Sequence, residues 1–243
     1  MSKLSLIYHG WGYHTTKVRI LSEWLSKNDY DTLIPRYLES SRPFSIKNVL
    51  AETKKKLKKR EPKIIAGISL GGMILPHIAQ NFPQAKLIFI ATGHYFKPKS
   101  AALEFLMTII KTRIGAALFR LIPHIPKKLI IPAYKAFYPF KGNKGLIKEY
   151  KSEIQTNVEY LLTLPYQKYV EVIEFGRTTN NASILKRLKN EALIFSGYQD
   201  ALMPLGVGKK LEKLLTNSQL IVNEGSHFNA FTKESLPHLD NFL

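Results

Sequence analysis

The chain has 243 residues, no cysteine, and 36 Lys+Arg against 18 Asp+Glu, a formal net charge of +18. That length allows one large domain, or one domain with an insertion, around a full core. The absence of cysteine excludes a disulfide framework, a thiolate metal site and a cysteine nucleophile.

No apolar run reaches the ~18 to 20 residues of a membrane-spanning helix. The apolar stretch near Met1 is too short for a signal peptide and lacks a small-residue cleavage site, so a soluble cytoplasmic protein is expected. The positive charge favours an acidic partner of some kind and says nothing about the fold.

In chain order, Leu4–Tyr8 is a short apolar strand ending in His9-Gly10-Trp11-Gly12. Val18, Leu21, Trp24 and Leu25 recur at helical spacing between Thr15 and Lys27. Tyr30–Pro35 reads as a second strand. Ile46, Val49, Leu50, Thr53 and Leu57 mark an amphipathic helix whose other face is the Lys54–Arg60 run. Lys63–Ile68 is a third strand and runs directly into Ser69 and a helix reaching Phe82. Ala85–Ala91, Ala192–Ser196 and Gln219–Val222 read as further strands, with a helix over Val207–Leu215 and a last one over Ala230–Phe242. Alternating strands and helices predict an α/β protein with a mostly parallel sheet of about six strands, helices on both faces and right-handed crossovers.

Residues 94–190 break the pattern. They show no strand, and they hold 17 Lys+Arg and 6 Glu without any Asp. Prolines at 98, 123, 126, 132, 139 and 165 predict a series of short helices. The expected organisation is a core in two parts, 1–93 and 191–243, with a helical cap insertion over 94–190.

The motif with the most chemistry in it is Gly67-Ile68-Ser69-Leu70-Gly71-Gly72, between a strand and a helix. G-x-S-x-G in that context is a nucleophile elbow, a sharp turn that holds a serine hydroxyl above the sheet edge. A serine needs a base, and His227 in Glu224-Gly225-Ser226-His227 follows the last strand. The base needs an orienting carboxylate, and Asp200 in Gly197-Tyr198-Gln199-Asp200 follows the fifth strand. Ser69, Asp200 and His227 are the candidate catalytic residues. The backbone N–H groups of Leu70 and Trp11 are the candidate oxyanion donors, with Gly10 and Gly12 letting their loop bend and His9 orienting it. Trp11, Leu70 and Met73 are candidate substrate-binding residues. Leu103, Phe105, Leu106, Ile109, Phe119 and Phe137 are apolar cap residues that either line an acyl site or pack the cap. His77, His94, His124 and His238 are scattered and read as structural. No metal-ligand spacing, phosphate loop or dinucleotide fingerprint is present, so no metal or cofactor is expected.

Taken together, His9-Gly10-Trp11-Gly12, Gly67–Gly72, Gly197–Pro204 and Gly225-Ser226-His227 resemble the α/β-hydrolase superfamily. The pairing of H-G-W-G with S-L-G-G is similar to the pimeloyl-acyl-carrier-protein methyl ester carboxylesterases. That resemblance implies a capped carboxylesterase recognising an acidic carrier protein through basic cap residues. Two departures stand out: the family's first two strands are expected to be missing, and the cap carries no motif that matches.

The function expected is a serine hydrolase that cleaves a carboxylic ester through an acyl-enzyme, its substrate a small-molecule or acyl-carrier-linked ester. An acidic protein partner is expected at the basic cap, and nucleic acid is not. The alternatives are thioesterase or lipase-like acyl chemistry on the same residues, or a non-catalytic basic protein that binds nucleic acid or anionic membrane through Lys54–Arg60 and the cap.

Overall fold

The computed structural model describes residues 2–12, 15–99, 101–137, 140–142 and 144–242, without the side chains of Ala102, Leu106 and Phe137. Six strands form one sheet: β1 (Lys3–Tyr8), β2 (Tyr30–Leu33), β3 (Pro62–Ile68), β4 (Lys86–Ile90), β5 (Ala192–Gly197) and β6 (Ser218–Asn223). All neighbours pair in parallel, in the spatial order β2-β1-β3-β4-β5-β6. The crossovers are α1 (Thr16–Lys27), α2 (Ile46–Leu57) and α3 (Leu70–Ala79). Between β4 and β5 lie α4 (Ala101–Ile109), α5 (Arg113–Leu121), α6 (Lys127–Phe137), α7 (Lys144–Leu161), α8 (Tyr166–Thr178) and α9 (Ala182–Leu185). The chain closes with α10 (Leu205–Leu214) and α11 (Leu236–Asp240).

The inner strands β3, β4 and β5 are mostly apolar because both faces of the sheet are covered there, while the edge strands β2 and β6 are more polar and partly exposed. Successive side chains point to opposite faces. Ile64, Ala66 and Ile68 of β3 pack with Val18, Leu21 and Leu25 of α1 and Leu239 of α11. Leu6 and Tyr8 of β1, Ile65 of β3 and Phe89 of β4 face the other way, onto Val49 of α2, Ile74 and Ile78 of α3 and Leu211 of α10. Each fully buried aliphatic side chain contributes about 1.5–3 kcal/mol. The Tyr8 phenol buried in this layer satisfies its hydroxyl on Thr53 Oγ1 at 2.8 Å.

This strand order creates the place for a site. From β1 the chain moves outward to β2, then returns past β1 to β3. The loops leaving the carboxyl ends of β1 and β3 therefore diverge and leave a crevice, where ligands bind in open parallel sheets.

Two expectations fail. The segment between β4 and β5 is not cut into short helices throughout: residues 140–164 contain no proline, and α7 runs for 18 residues there. Pro123 and Pro165 do sit at helix starts, whereas Pro132 lies inside α6. Pro139 lies outside the described residues. The second failure is the last helix, which is confined to Leu236–Asp240 after a 3-10 turn over Lys233–Ser235. Thr232 and Ser235 cap one another there, and Pro237 opens α11, so residues 224–232 are left as a loop.

The two ends of the helical segment meet where it leaves and rejoins the core. Tyr95 and Asn180 form an antiparallel bridge, and the Asn181 backbone N–H donates to the His94 carbonyl at 2.7 Å. The Asn181 side-chain amide donates to the Met73 carbonyl in α3, also at 2.7 Å.

Candidate active site

Ser69 stands between β3 and α3 with φ 52° and ψ −115°. A side chain at positive φ costs of the order of 1–3 kcal/mol, and such strain persists only where the surroundings enforce it. Here they do. The Ser69 N–H donates to the Ile90 carbonyl at 2.9 Å, and its carbonyl accepts from Thr92 Oγ1 at 2.8 Å. The glycines exist because α3 lies against the strands. A Cβ on Gly71 would stand 1.9 Å from the Tyr8 carbonyl oxygen, and one on Gly72 would stand 2.3 Å from Thr92 Cγ2.

His227 reaches Ser69 from the loop after β6. Its Nε2 is 2.9 Å from Ser69 Oγ, and its Nδ1 is 2.8 Å from Asp200 Oδ2. All three side chains are buried. Ionised aspartate only accepts, so in the neutral ring the proton sits on Nδ1 and Nε2 is left to accept from the serine hydroxyl. Asp200 is itself fixed by the turn that follows it: Oδ1 accepts from the Leu202 and Met203 N–H groups at 2.8 and 2.7 Å. Local bonds also shape the His227 loop, with the Asn229 side chain accepting from Ser226 N at 2.6 Å and Asn223 Oδ1 accepting from Gly225 N at 3.0 Å. Glu224, near His227 in sequence, is exposed.

The loop after β1 lies over Ser69. A Cβ on Gly10 would be 3.2 Å from Ser69 Cβ. The His9 ring is stacked on Tyr37, with centroids 4.5 Å apart, and its Nδ1 is 2.7 Å from the Gly10 carbonyl oxygen. Leu70 begins α3, so its N–H is one of the donors that a helix start leaves without an intrahelical acceptor.

Above these residues is an apolar cavity of about 190 Å³. Ser69, His227, Trp11, Leu70 and Met73 line it from the core. From the cap come Leu103, Met107, Phe119, Tyr169 and Val172, and Trp11 stacks on Tyr169 at 5.7 Å. Of the cap residues singled out by sequence, Leu103 and Phe119 face this cavity. Phe105 does not, being 66% exposed, because α4 turns it outward; Ile109 is not among the lining residues either. The side chains of Leu106 and Phe137 lie outside the described residues.

One polar feature of the cavity escapes a motif search. Lys17 of α1 is buried, and its ammonium donates to the carbonyls of His227 and Phe228 at 3.3 and 3.0 Å. Its charge partner is Glu153 of α7, with Oε2 3.9 Å away, while Glu153 Oε1 accepts from the Thr16 N–H at 2.5 Å. Burial pushes the Lys17 pKa down; Glu153 and then Asp200 push it back up. The signal in the sequence is a lone lysine four residues before Leu21, on the apolar side of its helix.

Solved structures similar to this chain include a hydrolase from Oleispira antarctica, with TM-score 0.70 and 17% identity, covering 100% of this chain and 91% of that one. An esterase from Rhodococcus sp. has TM-score 0.68 and 14% identity, covering 99% of this chain and 90% of its own. The enol-lactonase from Burkholderia xenovorans has TM-score 0.67 and 12% identity, covering 100% and 88%. With its six parallel strands and two helical layers, the chain has the α/β-hydrolase fold. No protein-family model matches it, and no curated protein matches it by sequence.

Proposed function

We propose that the protein is a serine hydrolase that cleaves carboxylic esters of an apolar acyl group. The observation that carries this reading is the relay Ser69–His227–Asp200, with contacts of 2.9 and 2.8 Å, at the floor of an apolar cavity. His227 Nε2 takes the hydroxyl proton as Ser69 Oγ bonds to the ester carbonyl carbon. Asp200 stabilises the imidazolium and keeps the ring oriented. The N–H groups of Leu70 and Trp11 hold the developing oxyanion, aided by the start of α3. His227 then returns the proton to the leaving alcohol as the ester C–O bond breaks. Water, deprotonated by the same ring, releases the acid from the acyl-enzyme.

In this reading residues 1–93 and 191–243 carry the chemistry, and the cap over 94–190 selects the acyl group. Trp11, Leu70 and Met73 form the pocket floor, which Tyr169 and Met107 close from above. The substrate is a free or an acyl-carrier-linked ester; the excess of 17 Lys+Arg over 6 Glu in the cap supports the carrier-linked form.

A fluorophosphonate probe tests the reading. The wild type labels with one equivalent, and Ser69→Ala loses both the label and about a million-fold in kcat. p-Nitrophenyl esters of increasing chain length, with an acyl-carrier-protein ester beside them, then define the acyl group and its carrier. Folded wild-type protein that neither labels nor turns over any ester would overturn the assignment.

A further inference from the structure

The cap turns apolar side chains to solvent in one place. Among the described residues, eight large hydrophobic side chains are exposed, and six of them lie between Phe105 and Leu129. Three belong to α5: Ile114, Leu118 and Leu121, at 75%, 51% and 56% exposure. Their spacing of four and then three residues puts them in one stripe along the helix. The neighbouring stripe of the same helix, Gly115 and Phe119, is buried, and Phe119 lines the cavity. α5 is therefore apolar over both its inner and its outer sides, with Arg113 and Arg120 together on the remaining flank. Phe105 of α4 and Leu129 of α6 add 66% and 60% exposed apolar side chains on either side in sequence.

Charge decides what such a face fits. Between residues 97 and 135 there are eight Lys+Arg and one acidic residue, Glu104. A second copy of the chain would bring the same positive charge against it, which is repulsive. An acidic protein would answer the cations and leave the apolar stripe unexplained. An anionic bilayer answers both: apolar side chains enter the acyl boundary while flanking cations stay at the headgroups. No helix among the described residues is long and apolar enough to cross a membrane, so the contact is one of lying on the surface.

We propose that the outer face of α5, with Phe105 and Leu129 beside it, docks on an anionic lipid surface. The inner faces of α4 and α5 supply Met107 and Phe119 to the cavity, so this layer separates the lipid surface from the cavity by one helix. The proposal stands on exposure and charge, and it holds whether or not Ser69 is a nucleophile.

The test is co-sedimentation of the full chain with phosphatidylglycerol-containing vesicles and with pure phosphatidylcholine vesicles. Binding is expected to the anionic vesicles alone and to weaken as salt is raised. Ile114→Ser with Leu118→Ser should weaken it by more than about tenfold. Arg113→Gln and Lys128→Gln should each weaken it about fivefold. These are surface changes, and an unaltered thermal melt confirms that the variants fold. Absence of binding to anionic vesicles overturns the proposal, as does binding that the Ile114/Leu118 pair leaves unchanged. A dimer dissolved by that pair reassigns the face to a second copy. Saturable capture of an acidic acyl carrier protein without vesicle binding reassigns it to a protein partner. Either result overturns the lipid assignment.

Discussion

The crevice at the carboxyl ends of the strands and the roof of helices above it treat side chains in opposite ways. In the crevice, Asp200 accepts from two backbone N–H groups and a ring nitrogen, and Ser69 is anchored through its N–H, its carbonyl and its hydroxyl. In the roof, α5 leaves Ile114 three-quarters exposed while its neighbour Gly115 is buried. The difference follows from what positions each region. Crevice residues leave adjacent parallel strands, whose hydrogen-bonded register sets where the loops begin. Roof helices rest mainly on side-chain packing, with scattered polar ties to the core such as Glu153 to Thr16 and Asn181 to Met73. The crevice is thus fixed by many short bonds, and the roof by fewer.

Among the changes that bear on this comparison, Asp200→Asn has the largest expected effect and tests whether crevice geometry alone carries the chemistry. The amide oxygen of Asn can still accept from Leu202 and Met203, so the turn survives. Its NH₂ then faces His227 Nδ1 and donates, which forces the ring proton onto Nε2. In that tautomer the ring cannot take the serine proton, and kcat should fall about 10⁴-fold with a small change in KM. A loss seen mainly in KM would break the comparison by giving Asp200 a binding role instead.

The same contrast decides what is legible from the sequence. Apolar runs mark the inner strands, because strands covered on both faces leave no alternation to misread, and short apolar stretches still reveal the partly exposed edges β2 and β6. Gly67, Gly71 and Gly72 mark the elbow, because backbone and Thr92 leave no room there for a side chain. Ser69, Asp200 and His227 can be picked out by motif and chain order because each follows a strand end, and the structure brings them together. The cap is less legible. Phe105 and Phe119 are both apolar residues in helices, and only packing turns one outward and the other inward. Helical periodicity cannot sort an α5 that is apolar on both sides. Only the end of the loop holding His227 is mistaken for helix, because Ala230 and Phe231 are buried like helix residues, although their backbone turns. Lys17 is missed because a lysine in an amphipathic helix reads as part of its solvated face until its partner from α7 is known.

Next in size is the seam between the two regions. Lys17→Met removes the cation facing Glu153 and the donor to two carbonyls of the His227 loop. Breaking one side of a buried pair costs about 3–5 kcal/mol, because the other charge stays buried and uncompensated. Denaturant titration should show that loss, and Lys17→Met combined with Glu153→Leu should recover most of it. If the double variant loses as much as the single one, the carbonyl contacts rather than the ion pair hold the seam. In that case the core depends on Lys17 without the cap.

The smallest effect lies at the base of the cap. His94 is 2% exposed, and its Nδ1 has no hydrogen-bond partner among the described residues, while its carbonyl holds Asn181 at the cap's exit. Burial, and then the charge of Lys210, push its pKa down to about 4. The sign follows from linkage. Below a pH of about 6.5 the unfolded chain binds a proton here that the folded chain refuses, so stability falls with pH until the folded form also protonates, near 4. Across that window the group's contribution is about 3 kcal/mol. His94→Gln has nothing to titrate, so its stability curve should be flatter than the wild type's between pH 6.5 and 4, while the two agree in slope above pH 7. The readout that bears on the comparison is proteolysis. If the base is where core and cap come apart, mild acid should expose wild-type cap sites to protease before the core melts, and His94→Gln should delay that cleavage. Simultaneous loss of core and cap at every pH would mean that the two regions unfold as one unit, and that their different construction ends at the surface.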